Sequence, residues 1–135
     1  MITRVSDDGF ASGYSGTGVK LSTNCIIRNC TVTSCERNGI EVGDNCLVMN
    51  NTVGYCGIKA GITNGATIYV RFGSSLVDGN VCTKSDIGIN LSGTNNTIIR
   101  NKISGNTTAI VGGVGNDVAP MSPATAAANP FSNFP

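Results

Sequence analysis

The side chains of this 135-residue chain with chemistry of their own are six cysteines and eight acidic residues; histidine is absent. Without an imidazole there is no His-based nucleophile triad, no His-ligated zinc or haem, and no glycosidase that relies on a catalytic His. Cys25 and Cys46 stand 21 residues apart, as do Cys35 and Cys56. No C-x-x-C occurs, so the usual zinc and thioredoxin spacings are missing. The acids are dispersed: only Asp7 and Asp8 are adjacent, and Glu41 is close to Asp44. An inverting glycosidase needs two carboxyls about 6.5–9.5 Å apart on one face, and no second carboxylate joins Glu41. Catalytic residues stay unassigned, and neither a metal nor a cofactor is expected.

Composition narrows the class further. The chain is 40% hydrophobic and 13% charged with a net charge of +1, which fits one folded domain better than disorder. Its nine Lys and Arg are scattered singly from Arg4 to Lys102, without the basic stripe that nucleic-acid binding leaves. No apolar run approaches the length of a membrane span. The start, Met1 to Asp8, lacks a charged region followed by an apolar one, so no signal peptide is expected within it. A beginning inside a repeat also suits a segment of a longer, secreted protein.

The elements that position these residues emerge from that repeat. Four segments begin at Ile27, Val48, Val77 and Ile98, at intervals of 21, 29 and 21 residues. Each runs aliphatic, two residues, Asn or Cys, one residue, small apolar, two residues, then Cys, Ser or Asn. The wider interval is one period plus an insertion, placed at about 59–66. In phase with the block run Val19-x-Leu21, Ile40-x-Val42, Ile68-x-Val70 and Ile89-x-Leu91. A third set pairs Cys25-x-Ile27, Cys46-x-Val48, Ser75-x-Val77 and Asn96-x-Ile98. Alternation with period two is the strand signal, and the Gly, Asn, Asp, Ser and Thr between are turn signals. Three short strands per period of about 21 residues make a coil that buries its apolar face only by stacking on the next. The expectation is an all-β, single-stranded parallel β-helix of about five coils over 1–111. An irregular tail over 112–135, with Pro120, Pro123 and Pro130, is read as a cap or strap.

The recurring Gly-Ile-x-Val followed by Asn-x-Ile-x-x-Asn resembles the right-handed parallel β-helix repeat family, the pectate-lyase-like superfamily. The resemblance covers residues 17–111 strongly and 4–16 weakly, and the tail around Gly115–Pro120 and Asn129–Phe134 is similar to the end of bacterial members. It implies a secreted or cell-envelope protein that acts on, or binds, polysaccharide. It also implies the enzymes' chemistry, from which this chain departs. Pectate lyases cluster Asp around calcium with an Arg base, and polygalacturonases group Asp with a His.

Stacking then gives each column a reading. Cys30, Asn51, Asn80 and Asn101 occupy one inward bend, and Cys35, Cys56, Ser85 and Asn106 another. Both are read as structural ladders whose side chains satisfy buried polar groups. The thiols are expected to be reduced, buried small hydrophobes, with disulfides between stacked pairs as the alternative. Lys20, Glu41, Tyr69, Arg71 and Asn90 line the outer face of the first strand. There the family's sugars bind, and Tyr69 or Phe72 could stack on a pyranose; an ordinary solvated face is the other reading. On the second strand Ile26, Leu47, Met49, Leu76 and Ile99 point outward as an apolar face. That face predicts a homo-oligomer, dimer or trimer, unless the tail's Phe131 and Phe134 cover it. Together these features favour a non-catalytic β-helix module, structural or carbohydrate-binding, over a polysaccharide lyase or glycoside hydrolase.

Overall fold

The computed structural model describes residues 16–57, 65–123 and 129–135. Asp7, Asp8 and the weak repeat copy before Gly16 lie outside the described residues, as does most of the expected insertion. Ala66, expected in that insertion, instead opens a strand and is buried.

Four complete coils of three strands follow one another. The first holds β1 (Val19–Lys20), β2 (Ile26–Arg28) and β3 (Thr31–Thr33), and the second β4 (Ile40–Val42), β5 (Leu47–Met49) and β6 (Thr52–Gly54). The third holds β7 (Ala66–Val70), β8 (Leu76–Asp78) and β9 (Val81–Thr83), and the fourth β10 (Ile87–Leu91), β11 (Thr97–Ile99) and β12 (Lys102–Ser104). A fifth coil is begun by β13 (Thr108–Val111) and β14 (Asp117–Val118). Every pairing between these strands is parallel. The first sheet runs β1-β4-β7-β10-β13, the second β2-β5-β8-β11-β14 and the third β3-β6-β9-β12. The register stacks like on like: Ile27, Val48, Val77 and Ile98 form one inward column, and Val32, Val53, Cys82 and Ile103 another. All eight are buried. No helix of the described residues is long and apolar enough to cross a membrane.

Gly57 is the last described residue of the second coil and Gly65 the first of the third. The two glycines lie against each other, so a Cβ on either would overlap the other's backbone, and Gly57 also has a φ of +70°.

Sharp corners join the strands, and each is made by a left-handed residue. Asn24, Asn45, Ser74 and Asn95 take positive φ at the first corner, Asn29, Asn50 and Arg100 at the second, and Ser34, Tyr55 and Lys84 at the third. Asn fills five of these ten positions because its short polar side chain tolerates that region best among non-glycine residues. The residue after each corner turns its side chain inward, and its backbone N–H needs an acceptor that strand pairing does not supply.

The next coil supplies it. At the second corner the amides of Cys30, Asn51 and Asn80 donate to Oδ1 of Asn51, Asn80 and Asn101 at 2.9–3.0 Å. At the third, Cys56 donates to Ser85 Oγ at 3.0 Å and Ser85 to Asn106 Oδ1 at 2.9 Å. A third ladder, absent from the sequence expectation, joins Cys46 to Ser75, Ser75 to Asn96 and Asn96 to Asn116 at the first corner. The Asn side chains also donate backwards: Asn80 Nδ2 reaches Val48 O at 2.9 Å and Asp78 O at 3.2 Å.

The end of the chain completes the second ladder. Asn133 Oδ1 accepts the amide of Asn101 at 3.0 Å, and its Nδ2 donates to Ile98 O and Ala119 O. Phe134 pairs with Lys102 in parallel, as the next strand of the third sheet would. The carbonyl of Phe131 accepts from the amide of Arg100, and Phe131 is itself 52% exposed.

Asn80→Leu strands the amide of Asn51 and the carbonyl of Val48 and should cost about 1–3 kcal/mol in chemical denaturation. Cys35→Val, which gives up only the long S–H bond to Thr33 O at 3.7 Å, should cost about 1 kcal/mol or less. Equal, negligible losses would remove the ladder from the account.

Candidate functional site

The outward column of the first sheet is in register: Lys20, Glu41, Tyr69 and Asn90 sit on successive strands. Arg71 follows β7 and joins them. Glu41 is the exception to an outward position, being only 7% exposed. It lies under a lid of its own partners. Lys20 Nζ is 3.1 Å from Oε1 and Arg71 Nη1 is 3.6 Å away. Asn38 Nδ2 donates to Oε2 at 3.1 Å and Thr17 Oγ1 at 3.4 Å. Burial works against the charge, but the hydrogen bonds from Lys20 and Asn38 and the charges of Lys20 and Arg71 outweigh it. The carboxyl is held below its ordinary range.

Beside this cluster, at the corner between the first and second sheets, is a recess of about 270 Å³ lined by Lys20, Leu21, Ser22, Thr23, Gly43, Arg71 and Phe72. Arg71 lies over the Phe72 ring at 5.4 Å, and Phe72 is 52% exposed. Gly43 packs on Ser22 so closely that a Cβ would overlap the Ser22 backbone, which keeps the floor low. Of the five residues expected on this face, Lys20 and Arg71 line the recess and Glu41 sits beside it as their counter-ion. Tyr69 and Asn90 stand one and two coils further on. Tyr69 is occupied with Ser92, OH to Oγ at 2.9 Å. Ser22, Thr23 and Gly43 carried no sequence signal of a site, because they belong to the turn that leaves the first strand.

The second-sheet column is apolar in its first rungs. Ile26, Leu47 and Leu76 stack in register, followed by Thr97 and Asp117. Ile26 is exposed, and Leu47, Met49, Leu76 and Ile99 are half-buried. Asp78, between Met49 and Ile99, is paired with Arg100, whose Nε lies 2.7 Å from Oδ1.

All six cysteines are thiols without a disulfide. Five follow a corner, and each of these donates its S–H to the carbonyl two residues earlier: Cys25 to Thr23, Cys30 to Arg28, Cys35 to Thr33, Cys46 to Asp44 and Cys56 to Gly54, at 3.2–3.7 Å. Ser75, Ser85 and Asn101 make the same bond from the same position. The thiols thus do more than pack. Burial pushes the Cys46 and Cys82 thiols up. Hydrogen bonding between Cys35 and Cys56 pulls Cys35 down and, with burial, pushes Cys56 far up.

The NosD family, described as periplasmic copper-binding protein, matches residues 3–131, nearly the whole chain. The chain belongs to the NosD family. NosD domains are right-handed parallel β-helix repeats, in agreement with the stacked coils seen here. No curated protein and no solved structure matches the chain.

The depressed pKa of Glu41 carries a sign. Its stabilisation is present above the unfolded-state pKa and is lost as pH falls through the folded-state value. Glu41→Gln should therefore be less stable than wild type near neutrality, with the gap closing in acid. Urea midpoints between about pH 3 and pH 7 check this; a gap independent of pH would separate the loss from the ion pairs.

Proposed function

We propose that this NosD domain is a non-catalytic β-helix module of an extracellular or cell-envelope protein, and that it binds acidic polysaccharide in the recess beside the first sheet. The observation that carries the reading is the convergence of Lys20, Arg71 and Phe72 on that recess. Two cations offset by one buried carboxylate leave a net positive charge for an anionic sugar. The exposed ring offers a face to a pyranose, and Ser22 and Thr23 offer hydroxyls. Flat aromatic surface with a few placed polar groups is what a sugar site needs.

The alternative, a polysaccharide lyase or glycoside hydrolase, needs a general acid whose pKa is raised. Glu41 has the opposite environment. Copper, the metal in the family description, does not fit the donors present. The chain has no His, and among the described residues no three His, Cys, Asp or Glu side chains gather around one point.

Binding of polygalacturonate and of a neutral glucan, followed by calorimetry at low salt, tests the reading. The acidic polymer should bind more tightly, and Arg71→Ala or Phe72→Ala should weaken it at least about tenfold, or about 1.4 kcal/mol. Release of reducing ends or unsaturated uronate would instead favour the enzyme.

The exposed Ile26, at the head of an apolar column through Leu47 and Leu76, supports a second element of this reading: self-association as a twofold dimer through the second sheet. Leu47→Lys with Met49→Glu should then yield a folded monomer. Light scattering of the wild type decides it, since a mass of 13.8 kDa rules out the dimer.

A further inference from the structure

We infer that the six thiols of this chain are rungs of the coil and not copper ligands, so that copper(I) binds the unfolded chain in preference to the folded one and destabilises the fold. Copper(I) selects thiolate and thioether sulfur. The whole soft-donor inventory is six cysteines and the methionines Met1, Met49 and Met121, with no imidazole to complete a set. The cysteines point inward while Met49 lies on the outer face of the second sheet and Met121 pairs with Asn133 in the tail. Among the described residues no three cysteines gather around one point, and neither Met49 nor Met121 stands in a cysteine column.

The corner thiols already have work that other residues share. Cys46 and Cys56 stand in the same columns as Ser75 and Ser85, then Asn96 and Asn106, and all but Asn96 use the same bond to the carbonyl two residues back. Cys46 Sγ also lies 3.2 Å from Ser22 O on the coil before, so its single hydrogen is shared between two carbonyls. Metal binding requires the thiolate. Forming it would break that bond and leave a charge inside the stack, and burial opposes the charge at Cys46, Cys56 and Cys82.

Two pairs on adjacent coils are the strongest case for a site, and of these Cys35 with Cys56 is the more enclosed. Space decides against it. The Cys35 sulfur rests on Gly18 and the Cys56 sulfur on Gly39, where even one added methyl would collide with sulfur and neighbouring side chains. Both residues are 3% exposed or less. An ion between them would have to part coils that the ladders hold. In the unfolded chain all six thiols are free of these constraints, and a ligand that prefers the unfolded state shifts the equilibrium towards it.

The test is thermal unfolding of the intact chain under anaerobic, reducing conditions, titrated with copper(I) in acetonitrile-containing buffer. The midpoint should fall as copper rises. At free copper(I) 100 times the dissociation constant of the unfolded chain, the unfolded-to-folded ratio should rise about 100-fold. The Cys35→Ser/Cys56→Ser variant, which keeps a donor and acceptor at both rungs, should show a smaller fall because its unfolded chain offers fewer thiols. A midpoint that rises or stays fixed, or one copper retained per natively folded chain, would overturn the inference. None of these outcomes touches the recess, so the polysaccharide reading stands or falls separately.

Discussion

Every corner of this coil turns one backbone N–H out of the strand ladder and aims it at the next coil. That amide is buried, and a buried donor without an acceptor costs about as much as a sizeable fraction of a domain's net stability. The structure answers with a side chain from the coil that follows, at three corners, coil after coil. Asn answers most completely, because its oxygen accepts the amide while its nitrogen donates to carbonyls of its own and the preceding coil. Ser offers the same acceptor with one donor, and Cys a weaker version of both. The apolar columns fill the space inside, but these polar columns set which coil follows which and in what register.

Much of this was legible in the sequence because the constraint repeats. A fixed distance from corner to corner puts Asn51, Asn80 and Asn101 at like positions, and their spacing alone marks a solenoid. The first-corner ladder was less visible, since Cys25, Cys46, Ser75, Asn96 and Asn116 share a role without sharing chemistry. Asn133 was hidden for a different reason. It sits 32 residues beyond Asn101, past a stretch that breaks the period, and only the fold brings it under the ladder. The recess followed the same division: Lys20, Glu41 and Arg71 could be placed on one face by alternation. Ser22, Thr23 and Gly43 belong to a turn, where period two has no hold.

Glu41 illustrates how a strand face acquires a buried charge without a cavity. Alternation sends it outward, yet Lys20 from the coil below and Arg71 from the coil above fold over it, and Asn38 fills the remaining side. The two cations are thereby drawn to the same carboxylate next to the recess. A surface that would otherwise be loose polar side chains becomes an ordered patch with a defined sign.

The pinch between Gly57 and Gly65 separates length from period. Because Gly57 and Gly65 lie against each other, the path of a coil closes across them whatever the number of residues between. Residues could be gained or lost there without moving any ladder rung or shifting any strand past its neighbour. A solenoid built on a strict interval is otherwise intolerant of indels, since one extra residue would turn inward columns outward. This junction is a port at which the repeat can accept foreign sequence, by drift over generations or by grafting at the bench.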